Sequence, residues 1–121
     1  MRKESWRKKI ERERLVKVEI LRWIRKNIDA SARLVNGRCE SYDIYSSEGS
    51  IKVKEDRYAH QTNLYKIDDI ISDVLVLIDW ENVFLVQTKK LPKKKLVPRK
   101  TLLKKADVVL KRWFPVYGIK S

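Results

Sequence analysis

Cysteine is almost absent from this chain: one residue, Cys39, in 121. A single thiol closes no disulfide within the chain, and with one histidine, His60, there is no Cys/His cluster of zinc-site spacing. Both absences point to a reducing interior. Glycine and proline are scarce as well, three of each, and neither occurs before Gly37. No apolar run approaches the roughly 20 residues of a membrane-spanning helix. The N-terminus carries no apolar segment of the secretory kind. The expectation is a soluble protein with no membrane partner, in the cytoplasm of a prokaryotic cell or of a virus-infected host. Residues 1–121 are enough for one domain with a single sheet-and-helix core.

Positive charge, by contrast, is abundant. Lys and Arg number 29 against 16 Asp and Glu, a net charge of +13. An excess of that size suits a polyanionic partner, nucleic acid first and an acidic membrane surface second. The plainer alternative is a charge-rich protein adapted to heat.

Along the first 29 residues Ile10, Val16, Ile20, Ile24 and Ile28 recur near helical spacing, with Trp6 and Trp23 on or beside the same face. Alternation then replaces helical spacing. Asn36-Gly37 is a strong hairpin signal between "ARLV" and "RCESYDIY", and "SSEG" turns the chain into "SIKVK". This reads as an antiparallel meander. Residues 56–71 read as a loop or short helix. Two apolar strands near 73–79 and 83–89 follow, joined by "DWEN", where Asp and Asn tolerate left-handed backbone. After the basic connection "LPKKKLVPRK", the stripe Leu102, Leu103, Ala106, Val109, Leu110 and Trp113 predicts a helix that Pro115 ends, and "VYGIK" a last short strand. The order is N-terminal helix, β-meander, β-hairpin, helix, strand: an α/β class with a mixed sheet flanked by helices.

Chemistry concentrates at "SDVLVLIDWENVFLVQTKK". Alternate residues of a strand share a face, so Gln87 and Lys89 point together and Thr88 away. Asp73 begins the partner strand, which places it at the same open end of the hairpin. A carboxylate, an amide oxygen and an ammonium therefore meet beside an apolar core. Taken singly, Asp73 reads as a strand cap and Lys89 as the first residue of a basic loop; their conjunction carries the signal. Glu13, three residues before Val16 and seven before Ile20, falls on the inward stripe of the first helix. A carboxylate there demands a partner or a cation. Glu11 competes for that role, and an exposed Glu13 paired with Lys17 is the structural alternative. Lys93, Lys94, Lys95, Arg99 and Lys100 form a run suited to phosphate tracking rather than base readout, since no aromatic residues are interleaved. A solvated loop is the plain alternative. His60, alone in its loop, reads as a bystander.

These residues resemble the PD-(D/E)xK nuclease superfamily, in which an Asp begins one strand of a hairpin and Glu-x-Lys ends the next. Within it, the chain looks most like the archaeal-type Holliday junction resolvases. "RKKIERERLVKVEIL" resembles that family's basic start and helical Glu-Arg pair, matching Glu13 and Arg14. The hairpin resembles its metal-binding hairpin, matching Asp73 and Lys89, and "LVPRKTLLKKADVVLKRWFPVYGIK" resembles its closing helix and strand. Gln87 stands where the family has its second metal-binding carboxylate. The resemblance implies a restriction-endonuclease-like fold and an endonuclease that resolves four-way junctions by phosphodiester hydrolysis as a homodimer. It implies Mg²⁺, or Mn²⁺ in its place, held by Glu13, Asp73 and the amide oxygen of Gln87. Lys89 would stabilise charge on the phosphate, and Arg14 and the basic run would hold DNA. Gln87 brings no charge, so the metal requirement should rise, or Asp68 or Asp69 should assist. Tyr42, Tyr45 and Tyr58 of the meander are candidates for the dimer interface. Two alternatives stay open: a catalytically weak or inactive basic DNA-binding protein on the same fold, and a nicking or restriction-type nuclease acting on duplex DNA.

Overall fold

The computed structural model describes residues 6–35, 42–56, 62–67 and 70–117. Asn36-Gly37, Cys39, Tyr58, His60, Asp68 and Asp69 lie outside them, as does most of the "VYGIK" segment. The long helix expected at the start is α1, Trp6–Asn27, uninterrupted by Gly or Pro and closed by Arg25 and Lys26, whose charge suits a helix C-terminus. Its buried residues are Val16, Ile20, Leu21 and Ile24. Trp6 and Ile10 are 71% and 43% exposed, so the apolar spacing continues one and a half turns beyond the point where α1 leaves the sheet. Ile24 has no exposed surface, and its truncation to Ala should cost about 2–5 kcal/mol.

The meander follows as β1 (Arg33–Leu34), β2 (Ile44–Ser46) and β3 (Gly49–Glu55), paired antiparallel in turn. Segment 56–71, expected as loop or helix, contributes a strand, β4 (Leu64–Lys66). The hairpin forms as expected from β5 (Val74–Ile78) and β6 (Asn82–Gln87). A 3₁₀ turn, Thr88–Lys90, leads to β7 (Leu96–Pro98), α2 (Arg99–Lys105) and β8 (Val108–Lys111).

The fold is mixed α/β. The main sheet has six strands in the order β1-β2-β3-β5-β6-β8, with only β3 and β5 parallel, and β4 pairs with β7 in a small second sheet. Alternation along β5 and β6 splits the core. Val76, Ile78, Val83 and Leu85 face α1, whereas Leu75, Leu77, Phe84 and Val86 face Tyr65, Val97 and Leu102 of the β4–β7 layer and α2. The six-stranded sheet is therefore sandwiched between α1 on one side and the small sheet with α2 on the other.

Two expectations need correction. The helix expected to reach Trp113 stops at Lys105, because Val108–Lys111 pairs with β6 and Val108 and Leu110 pack inward while Val109 and Lys111 face out. A period of two fits those residues as well as a helical stripe does, and a β-branched pair favours the strand. At "DWEN" no left-handed residue is needed among the described residues, where Asn63 alone outside glycine has positive φ. Instead the Asp79 carboxylate accepts the N–H groups of Glu81 and Asn82 at 2.8 and 2.6 Å, closing the turn by a side-chain bond.

Asp79 also anchors a polar network at this tip. Its carboxylate, with no exposed surface, accepts from the Tyr65 hydroxyl and from Arg99 Nε at 3.3 Å. Arg112 donates to the Asp79 carbonyl at 2.9 Å and pairs with Glu55 at 2.7 Å. Burial works to raise the Asp79 carboxyl, but bonds from Tyr65, Asn82, Glu81 and Arg99 hold it below the usual aspartate value. Elsewhere Asp43 replaces a missing strand neighbour. Beyond Ile51, where β2 no longer accompanies β3, its carboxylate accepts the Val53 N–H at 2.8 Å and pairs with Lys17 at 2.9 Å.

Candidate functional site

Three backbone devices shape the open end of the hairpin. First, Val74 lies opposite Gln87, and the Thr88 N–H donates to the Asp73 carbonyl at 3.0 Å, so the ladder reaches one residue past each strand. Second, Asp107, just before β8, accepts the Gln87 N–H at 3.0 Å and pairs with Lys90. These bonds, that from Lys90 foremost, hold the Asp107 carboxyl below its ordinary value. Third, the turn between β2 and β3 closes on Asp73. Ser50 gives its N–H and its hydroxyl to Asp73 Oδ2 at 2.9 and 3.1 Å, and Ser50 Oγ accepts the Asp73 N–H at 3.1 Å.

A cleft of ≈ 460 Å³ opens there, lined among others by Glu48, Asp73, Gln87, Thr88 and Lys89. The three hairpin residues expected to act together thus share one cavity. Lys89 does so from the 3₁₀ turn rather than from the strand, which ends at Gln87, so simple alternation does not place it. A second cleft of ≈ 520 Å³, lined by Lys93, Lys94 and Lys95, shares Ile70, Thr88 and Lys89 with the first. An acidic notch therefore adjoins a cationic cleft, with Lys89 in the wall of both. None of these four lysines makes an ion pair among the described residues.

The remaining expected residues lie elsewhere. Glu13 is exposed and lines a separate cleft of ≈ 490 Å³ with Lys9, Arg12, Lys17, Lys54 and Glu55; its wall meets the Asp73 cleft only at Ile70. Arg12 approaches Glu55 at 3.9 Å, at the far end of β3 from Ser50 and Asp73. Five residues of strand, about 17 Å, separate the two positions. Helical spacing places Glu13 near the stripe, but in that turn it is Arg12 that faces the sheet, beside Glu55, while Glu13 is exposed. Arg14 is exposed on α1, Glu11 likewise, and Lys100 is exposed on α2. Arg99 is not available to a ligand in the way a loop arginine would be. It is bound to Asp79 and Asn82 and lies 5.7 Å from the Phe84 ring centroid.

Sequence reasoning overlooked Glu48, Ser50 and Asp107. Glu48 belongs to "SSEG", where the only signal is that of a turn, Ser50 opens the strand "SIKVK", and Asp107 falls within the expected helix. The donor set now in view is the Asp73 carboxylate, the Glu48 carboxylate and the Gln87 amide oxygen. All are hard oxygen donors of the kind Mg²⁺ and Mn²⁺ take alongside water. Among the described residues no three His, Cys, Asp or Glu side chains gather around one point. What the described residues could offer such an ion is therefore an open, partial set of oxygens and not a closed protein cage.

No protein-family model matches this chain, and no curated protein and no solved structure matches it either. No described helix is long and apolar enough to cross a membrane.

Proposed function

We propose that this chain is a Mg²⁺-dependent DNA endonuclease of restriction-endonuclease-like build, acting as a homodimer on branched DNA such as four-way junctions. One observation carries the reading: Asp73, Gln87 and Lys89, from neighbouring elements, line a single cleft that adjoins a second lined by Lys93, Lys94 and Lys95. A bound Mg²⁺ supplies Lewis acidity at a phosphodiester and lowers the pKa of water. Asp73 provides the fixed anionic oxygen for such an ion and Glu48 a second carboxylate, while Gln87 contributes a neutral oxygen. Lys89, between the clefts, donates to a phosphate oxygen and stabilises negative charge as it develops there. Lys93, Lys94 and Lys95 neutralise neighbouring phosphates without reading bases. Symmetric cutting of a four-way junction needs two such clefts, hence two copies of the chain.

A second reading has its own support. Gln87 is uncharged and Glu13 lies in another cleft, which leaves the site poor in anionic ligands. A basic DNA-binding protein with weak or no catalysis fits that shortage. The deciding experiment uses a labelled four-way junction and matched linear duplex, with Mg²⁺ or EDTA, and compares the unaltered protein with Asp73→Asn. Junction cleavage that needs Mg²⁺ and vanishes with Asp73→Asn is expected. Binding without cleavage at every Mg²⁺ concentration selects the second reading, and equal cutting of duplex selects a nicking or restriction-type enzyme.

A further inference from the structure

Asp73 is exposed, yet its carboxylate is not free to turn. Oδ2 receives both the N–H and the hydroxyl of Ser50, and the same hydroxyl accepts the Asp73 N–H. The two residues therefore bond in both directions across the start of the parallel β3–β5 pair. With Oδ2 committed, Oδ1 is the carboxylate oxygen left for another partner. The approach that allows this depends on Gly49. Its φ is +110°, and a Cβ placed there would stand 2.4 Å from Asp73 Oδ2 and 2.8 Å from Asp73 Cγ. Any side chain at 49 would both strain the backbone and push the carboxylate away.

We propose that Ser50, admitted to contact by Gly49, is a positioning residue for Asp73, fixing one carboxylate oxygen so that the other is held ready for a hard divalent cation in the cleft. The inference rests on the nuclease reading of that cleft and adds to it a device supplied by the first two residues of β3. Two donors to one carboxylate oxygen of an exposed aspartate, with a third bond returned from its own N–H, exceed what a strand start needs, since the Asp73 carbonyl is already engaged by Thr88. Loss of a hydrogen bond that orients a metal ligand typically weakens metal binding about 10- to 100-fold. Ser50→Ala removes the hydroxyl and spares the backbone N–H contact, and Ser50→Thr keeps both.

The test measures Mn²⁺ binding to the full chain by electron paramagnetic resonance, with thermal melts of the same samples. Ser50→Ala is expected to weaken Mn²⁺ binding about 10- to 100-fold while the melting midpoint stays near that of the unaltered protein, and Ser50→Thr to restore binding. Unchanged Mn²⁺ affinity in Ser50→Ala, or a loss that Thr does not restore, overturns the inference. The two failures are distinguishable. If the unaltered protein takes up no Mn²⁺, the reading of the cleft falls and the inference with it. If Asp73→Asn abolishes binding and Ser50→Ala leaves it intact, the cleft stands and the positioning role alone is overturned.

Discussion

Asp79→Ala should be among the most destabilising single changes in this protein, and its size follows from what it leaves behind. The carboxylate has no exposed surface and accepts from the Glu81 and Asn82 N–H groups, the Tyr65 hydroxyl and Arg99 Nε. Removing it leaves Arg99, whose side chain is 25% exposed, with Asn82 and a more distant Glu81 at 3.7 Å as polar partners, and orphans the donors of the β5–β6 turn. Breaking a buried ion pair from one side costs about 3–5 kcal/mol, and the loss of the turn bonds falls within that range because they act with the pair and do not add to it. For a domain of this length each kcal/mol moves the melting midpoint by roughly 3–5 °C, so a fall of about 10–25 °C is expected by circular dichroism. Urea melts at constant slope give the same energy independently.

The acid dependence follows from the same site. Because the folded Asp79 carboxyl sits below the ordinary aspartate value of 3.8, its contribution is present above that pH and is lost as pH falls through the lower, folded value. The unaltered protein should lose stability steeply below about pH 4, and Asp79→Asn should flatten that limb. Asp79 lies six residues along β5 from Asp73, about 20 Å, so cation binding in the cleft, measured well below the melting midpoint, should not change. A loss under about 1 kcal/mol, well below what a broken buried pair costs, or an unaltered acid limb in Asp79→Asn, would refute the reasoning.

The other expectations concern the cleft and its approaches. Gln87→Glu adds a carboxylate beside Asp73 and should lower the Mg²⁺ concentration that half-saturates cleavage by about tenfold, the direction set by simple attraction; no response in an active enzyme would place Gln87 outside the ion's ligands. Glu13→Gln should leave that concentration unchanged, and a marked rise would show that α1 reaches the cleft after all. Replacing Lys93, Lys94 and Lys95 by Ala should make the plot of log affinity for DNA against log salt shallower by up to about 3. Arg99→Ala should leave that slope intact and lower the melting midpoint instead, since the Arg99 guanidinium is bound to Asp79 and Asn82; a shallower slope with an unchanged midpoint would contradict this.

How legible each element was depends on whether its cause is local. The β5–β6 hairpin is written in consecutive residues: two apolar runs and a short polar turn, with register following from turn length. That is why Asp73, Gln87 and Lys89 were found together from sequence. β8 was misread because Val109, Leu110 and Trp113 satisfy a helical stripe. The deciding fact, pairing of Lys111 with Asn82, lies 29 residues away. Glu13 shows a different limit. Periodicity puts Glu13 near the apolar face of α1 but does not tell that Arg12 takes the sheet-facing place in that turn, beside Glu55. Arg99 read as part of a basic run because nothing near it in the chain reveals that Asp79 is its partner. Glu48 reads as a turn residue and Ser50 as the start of a strand, which they are. Their place beside Asp73 comes from the parallel pairing of β3 with β5, and no local signal announces a parallel pair.

The two ends of the β5–β6 hairpin treat charge in opposite ways, and this bears on where a ligand belongs. At the turn, Asp79, Arg99, Arg112 and Glu55 meet one another, and Asp79 leaves no surface for a visitor. A cation or phosphate arriving there would have to break bonds already made. At the open end, Lys89, Lys93, Lys94 and Lys95 line clefts without ion pairs among the described residues, and Asp73 keeps one carboxylate oxygen beyond those that Ser50 engages. Groups left in this state gain little for folding, since exposed charges contribute little when paired and less when not. Their juxtaposition gains meaning only with a partner that supplies what each lacks: a cation for the acidic notch and phosphates for the lysines. A metal-bearing polyanion supplies both at once. A single polyanion held across the join at Lys89 would engage the two clefts together, which neither a free metal ion nor a metal-free strand does.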